Sequence, residues 1–216
     1  MTRFFMMIAV VASLIGSATA AIDSGGYLGI HTGFGFARTK ITYDPSVPGS
    51  TELGNDAGNY GFLAGFGKIF GSLYFAGELF YTFEVLKIRS DVNAMPEPYI
   101  EITRKKYYGG ALRAGVVFRR NTLFYFRLGG HGGTWKLTDN SVNGGVGTTV
   151  ATKNRLTLAP GLGLETAVLR NLYLRGEWFY EFGPTIVATN SLNQGLYSRA
   201  RNVLYNSSRL GLTYKF

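Results

Sequence analysis

His31 and His131 are the residues best suited to acid–base or metal chemistry in this sequence, and each lies among glycines. A histidine acting as a base needs a nucleophile and an acid at fixed geometry, and a metal site needs further ligands at matched spacing. The residues two positions on are Gly33 and Gly133, so no His-x-Ser pair exists. Glu177 and Glu181 resemble an acid–base pair, but arginines of like placement account for them better as ion-pair partners. The glycine runs at 129–133 and 144–147 open no helix, and no Gly-Lys-Ser/Thr follows, so they do not read as phosphate loops. Cysteine is absent. The sequence thus predicts no catalytic residue, no metal and no cofactor, and a chain that is not an enzyme.

The other charges are arranged by a period of two. In the stretch from Leu172 to Phe182, Leu172, Leu174, Gly176, Trp178, Tyr180 and Phe182 share one face, and Tyr173, Arg175, Glu177, Phe179 and Glu181 share the other. The same alternation sets Leu156, Leu158, Leu162 and Leu164 against Thr157, Gly161, Gly163 and Glu165. On the faces opposite the apolar ones lie Glu78, Glu84, Arg113, Arg127, Glu165, Arg175, Glu177, Glu181, Arg209 and Lys215. Five are positive and five negative, so the sequence predicts a neutral, ion-paired interior. Only Lys68 falls on the apolar side, next to a short break where it can reach headgroups. Glycines on the charged side, at 109, 115, 129, 161 and 163, are expected to leave room for the long Arg and Glu side chains.

Eight alternating runs carry these residues, at about 26–42, 59–69, 73–86, 105–118, 123–136, 153–168, 172–186 and 201–216. Three breaks are short (70–72, 119–122 and 169–171) and four are long and polar (43–58, 87–104, 137–152 and 187–200). Long and short alternate strictly. A soluble sandwich has no reason to sort its loops this way, whereas an up-and-down barrel with each end in a different compartment does. The expected fold is all-β: an eight-stranded antiparallel up-and-down transmembrane barrel with a lumen filled by side chains.

Residues 1–20 read as a cleaved signal peptide, with Arg3, an apolar run from Phe4 to Ile15, and Ala18-Thr19-Ala20 before Ala21. Residues 21–216 are then the barrel domain. The whole chain has a net charge of +9. Arg104, Lys105, Lys106, Lys153 and Arg155 fall where strands are expected to leave the membrane, and they read as a basic external collar facing lipopolysaccharide phosphates. Host polyanions or matrix reached through the loops are a sharper form of the same electrostatics. Nucleic acid is not expected as a partner, because an exported barrel offers no single basic face to it. Phe34, Phe36, Tyr107, Tyr108 and Trp135 read as interfacial belt residues.

Several segments resemble those of the small outer-membrane barrels of the opacity-protein and OmpA-like transmembrane-domain type. They are Gly26-Tyr27-Leu28-Gly29-Ile30, Gly61 to Gly67, Gly77-Glu78-Leu79-Phe80-Tyr81 and the closing Arg209-Leu210-Gly211-Leu212-Thr213-Tyr214-Lys215-Phe216. The resemblance implies a bacterial outer-membrane location. It also implies that Leu210, Leu212, Tyr214 and Phe216 form the terminal strand read by the barrel-assembly machinery. One scaffold serves many functions. The leading expectation is envelope structure or surface interaction, including adhesion, through four external loops. A narrow pore and an enzyme acting on outer-leaflet lipid are the rivals. Deleting Phe216 should lower outer-membrane insertion, measured by heat-modifiable barrel yield, without lowering export. Equal yields for the deletion and the parent would remove the assigned role.

Overall fold

The computed structural model describes residues 21–42, 50–91, 99–139, 149–189 and 197–216. The signal-peptide reading of residues 1–20 lies outside them. Strands β1 (Gly25–Thr42), β2 (Ser50–Phe70), β3 (Leu73–Asp91), β4 (Tyr99–Phe118), β5 (Thr122–Asp139), β6 (Thr149–Leu169), β7 (Leu172–Phe182), β8 (Ile186–Thr189) and β9 (Tyr197–Lys215) make one antiparallel sheet. Each strand pairs with its neighbours in order, and β9 returns to β1 from Tyr27↔Lys215 to Thr42↔Arg199. Eight strands therefore close a barrel, with β8 as a short continuation of β7 beside β9.

The strands run well past their expected ends. Residues 50–58, 87–91, 99–104, 137–139, 149–152 and 197–200, read as loop from sequence, extend the wall instead. What remains of the four long breaks, 43–49, 92–98, 140–148 and 190–196, is outside the described residues. The run expected at 172–186 is divided at Gly183-Pro184-Thr185, since Pro184 has no N–H to give to a ladder. Above Leu158↔Phe182 no pairing joins β6 to β7 or β8 among the described residues, and Lys153 Nζ donates across this seam to the Thr185 carbonyl at 3.1 Å.

The outer and inner surfaces separate as the alternation requires. Leu79 and Leu112 are 70% and 68% exposed on the outside, among Leu28, Phe62, Phe66, Phe126 and Leu162. Aromatic rings meet across strands at the upper edge of this apolar zone, with Tyr60 stacked on Phe83 at 5.2 Å and Tyr81 on Tyr108 at 6.4 Å. Such a surface belongs in hydrocarbon, where every backbone group must be paired within the wall.

Beyond that edge the pattern inverts. Ile41, Leu86, Ile88, Ile100, Ile102 and Leu137 point inward and form a buried apolar cluster, while Lys87, Arg89 and Lys136 face out. The change falls at an irregularity in β4: the pairing of β4 with β5 shifts between Arg104 and Tyr107. Both Lys105 and Lys106 are exposed there, and inward residues change from odd to even numbers, as an extra residue in one strand requires.

At the other end the turns are short, at Gly71-Ser72, Arg119-Arg120-Asn121 and Arg170-Asn171. Residues 21–24 pass beneath this mouth. The Ile22 amide donates to the Arg120 carbonyl at 2.6 Å, the Tyr173 hydroxyl to the Ala21 carbonyl at 2.9 Å, and the Ile69 amide to Ser24 Oγ at 2.9 Å. Ile22 is buried against Tyr74, Leu123, Tyr125 and Tyr173 and stops this end.

Arg119 and Arg120 have φ of 48° and 62°, the left-handed region that side chains with a Cβ avoid. Arg120→Gly should relieve one such residue and raise stability by about 1 kcal/mol, read as a higher urea midpoint of the refolded barrel. An unchanged or lower midpoint would show that the turn is not strained.

Candidate functional site

The site is the charged interior. Nearest the short turns, Glu165 accepts from Arg113 Nη2 at 2.6 Å and Arg175 Nε at 3.3 Å, and it pairs with Lys215 Nζ at 3.0 Å. Glu78 accepts from Arg175 Nη1 at 2.7 Å and from the Tyr27 hydroxyl at 3.2 Å, with Arg113 Nη1 at 3.7 Å. Arg113 lies over the Tyr125 ring at 3.9 Å, and the Tyr125 hydroxyl donates to Glu177 at 2.7 Å. Each strand supplies a residue only because its odd or even face points inward.

In the middle, Arg127 Nε lies 3.9 Å from Glu177, and Arg209 donates to the Tyr107 hydroxyl. His31 Nε2 meets Thr82 Oγ1 at 3.2 Å. Nearest the loops, Arg104 donates to Glu84 at 2.5 Å and Glu181 at 2.8 Å, and its guanidinium is stacked among Tyr107, Trp135 and Tyr205. His131 Nε2 lies 3.3 Å from Glu181. All ten residues read from sequence as inward are buried in this interior.

Arg104 is the main correction. It is not part of an external collar: it is 1% exposed and anchors the loop-side layer of the lumen. Strict alternation from Tyr107 downward would have pointed it outward, and the irregularity at Lys105–Lys106 reverses that. Its addition leaves six cations against five carboxylates, so this stretch is not neutral as expected. Tyr107 and Trp135, expected in the membrane belt, are likewise buried inside, 0% and 1% exposed, while Phe36 and Tyr108 do face out. Of the five inward glycines expected to house charges, only Gly129 does so; Gly109, Gly115 and Gly161 allow close approach of a neighbouring strand, and Gly163 makes room for a ring. A Cβ at Gly163 would overlap the Tyr125 ring, and at 129 it would meet Arg127 Nη1 at 2.5 Å.

Lys105, Lys106 and Arg155 are exposed and Lys153 half-buried. Lys106 and Arg155 line a shallow cleft of about 330 Å³ with Tyr108, Thr134, Asn154 and Leu156. Leu212, Tyr214 and Phe216 face out, Leu210 is half-buried beside them, and the Phe216 amide donates to the Gly26 carbonyl at 3.1 Å. Among the described residues no three His, Asp or Glu side chains come together as metal ligands.

Glu165 gathers three cations, so Glu165→Gln leaves buried charges without their partner. Removing one member of such a buried pair costs about 3–5 kcal/mol, whereas Lys68→Gln on the outer wall should change stability by less than about 0.5 kcal/mol. Urea unfolding of the refolded barrels compares them. Equal midpoints would mean that the lumen is wet and the network weak.

No protein-family model matches the sequence, and no curated protein sequence does. Among solved structures the chain is similar to the outer membrane protein OprG from Pseudomonas aeruginosa, with 12% identity over 90% of this chain and 98% of that one and a TM-score of 0.53. It is similar also to the outer membrane protein AlkL in DMPC lipid bilayers, with 13% identity over 93% and 94% and a TM-score of 0.50. Ail, the attachment invasion locus protein of Yersinia pestis, aligns at 15% identity over 89% and 99% with a TM-score of 0.41. At such identities the likeness is one of fold. Taken with a wall that is apolar outside and charged within, it gives this chain the fold of the small outer-membrane β-barrels.

Proposed function

We propose that the barrel is a closed scaffold that holds surface segments outside the cell, serving envelope structure and contact with other surfaces. The observation that carries this reading is the lumen. Its charges are interlocked across the section, with Ile22 and its tyrosine neighbours below and the apolar cluster around Ile100 and Trp135 above. A solute would have to break several buried ion pairs to pass, which weighs against the pore. His31 and His131 are buried inside, so neither reaches an outer-leaflet lipid, which weighs against the lipid enzyme.

In this reading the short turns lie in the periplasm and the four long segments outside, where adhesion or binding of host polyanions would take place. Lys105, Lys106, Lys153 and Arg155 stand just beyond the aromatic edge, suited to lipopolysaccharide phosphates. Glycines facing the lipid, such as Gly77 and Gly132, have nothing within 4 Å of an added Cβ, so packing within the barrel does not require them. They leave the wall at the cleft and below it smooth for acyl chains. The outward row ending at Phe216 serves recognition by the assembly machinery. Reconstitution in planar bilayers tests the closed scaffold. The expected result is no steady conductance, and a large, stable open state would replace the scaffold with the pore.

A further inference from the structure

The lumen's excess positive charge is concentrated at one level. Toward the turns, Glu78 and Glu165 engage Arg113, Arg175 and Lys215; toward the loops, Glu84 and Glu181 engage Arg104. Between them, Glu177 is divided among Tyr125, Arg175 at 3.6 Å and Arg127 at 3.9 Å. Among the described residues no carboxylate lies within ion-pair distance of Arg209, whose only hydrogen bond is to the Tyr107 hydroxyl. Asp139, the one other buried carboxylate among the described residues, is at the far loop end of β5 and is engaged elsewhere.

Arg127 and Arg209 flank the same two rings. Their guanidinium carbons lie 4.8 and 5.9 Å from the centre of Phe80, and 5.4 and 4.3 Å from that of Phe179. His31 is at this level too, since β1 pairs with β9 as Gly33↔Arg209 and His31↔Gly211. Among the described residues, Arg127 Nε and Nη2, Arg209 Nε and His31 Nδ1 are buried without a hydrogen-bond partner. If His31 Nε2 accepts from the Thr82 hydroxyl, Nδ1 carries the proton, and all four atoms are donors.

We propose that this middle layer binds one small monovalent anion of the halide class, held by Arg127, Arg209 and His31. Water would satisfy the donors but leave the excess charge in a low-dielectric interior, where an uncompensated ion is costly. A halide does both. Interior space crowded by Phe80, Phe179 and Tyr107 favours a monatomic ion over a polyatomic one. Apolar clusters close both ends, so the ion is captured as the barrel folds and does not enter afterwards.

The full barrel is refolded in sodium chloride, sodium bromide or sodium gluconate at equal ionic strength. Thermal unfolding is followed by heat-modifiable mobility, and crystals of the bromide-refolded protein are measured at the bromine edge. The Tm should be higher in either halide than in gluconate and should rise to a plateau with halide concentration. One bromine peak should lie between Arg127 and Arg209. Arg209→Gln leaves five cations against the five glutamates between Lys215 and Arg104 and should abolish the halide dependence. If that variant does not fold, the bromine peak in the parent decides. Identical Tm values in the three salts, or no peak in the middle of the lumen, would overturn the proposal.

Discussion

Everything in this molecule depends on the closure of β9 against β1. In hydrocarbon an unpaired backbone amide or carbonyl has no water to turn to, so an open sheet edge is excluded. Closing the ladder from Tyr27↔Lys215 upward removes the edge and gives every side chain only two directions, toward lipid or toward the lumen. Eight strands make a lumen just wide enough for side chains to fill. The placement of charge then follows: an Arg or Glu on the wall is tolerable only inside, and inside it must find a partner.

The interior answers that demand in layers. Glu165, with three cations around it, organises the turn side, and Arg104, held by Glu84 and Glu181 amid three aromatic rings, organises the loop side. Tyrosines do double service. Tyr27 accepts from Arg113 while donating to Glu78, and Tyr125 offers its ring to Arg113 and its hydroxyl to Glu177. A network so interlocked makes a rigid core out of polar groups, while the apolar side chains that would fill a soluble core face the membrane. Above the membrane this order is reversed, and Ile100, Ile102 and Leu137 form an ordinary apolar core under a charged outer surface.

Much of this was legible in the sequence because a closed wall obeys a period of two over long stretches. From Leu172 to Phe182 the parity of Arg175, Glu177 and Glu181 places them without error, and the short breaks mark three turns. Legibility failed where the period slipped or where its meaning changed. The extra residue near Lys105 sent Arg104 inward, and no composition signal accompanies it. The upper strands were read as loops because their charged side is the outer one. The signal was there in Leu86-Lys87-Ile88-Arg89 and Ile100-Glu101-Ile102, an alternation with reversed polarity. Ile22 beneath the barrel mouth could not be found by periodicity, since it belongs to no strand. Parity already sets the membrane-facing glycines at 77 and 132 apart from the inward ones at 109 and 163, but only the geometry shows that the outward pair have open space beside them.

The doubled position at Lys105–Lys106 has a bearing on how such a wall can diverge. Below it, a single inserted or deleted residue in β4 would exchange inside for outside along the rest of the strand and turn Arg113 toward acyl chains. Above it, one change of phase is already accommodated, and water on the outer side tolerates either polarity. Length variation in descendants of this chain is therefore confined to the part beyond the bulge. The upper wall is free to drift in size and shape while the lower register stays locked to its ion pairs.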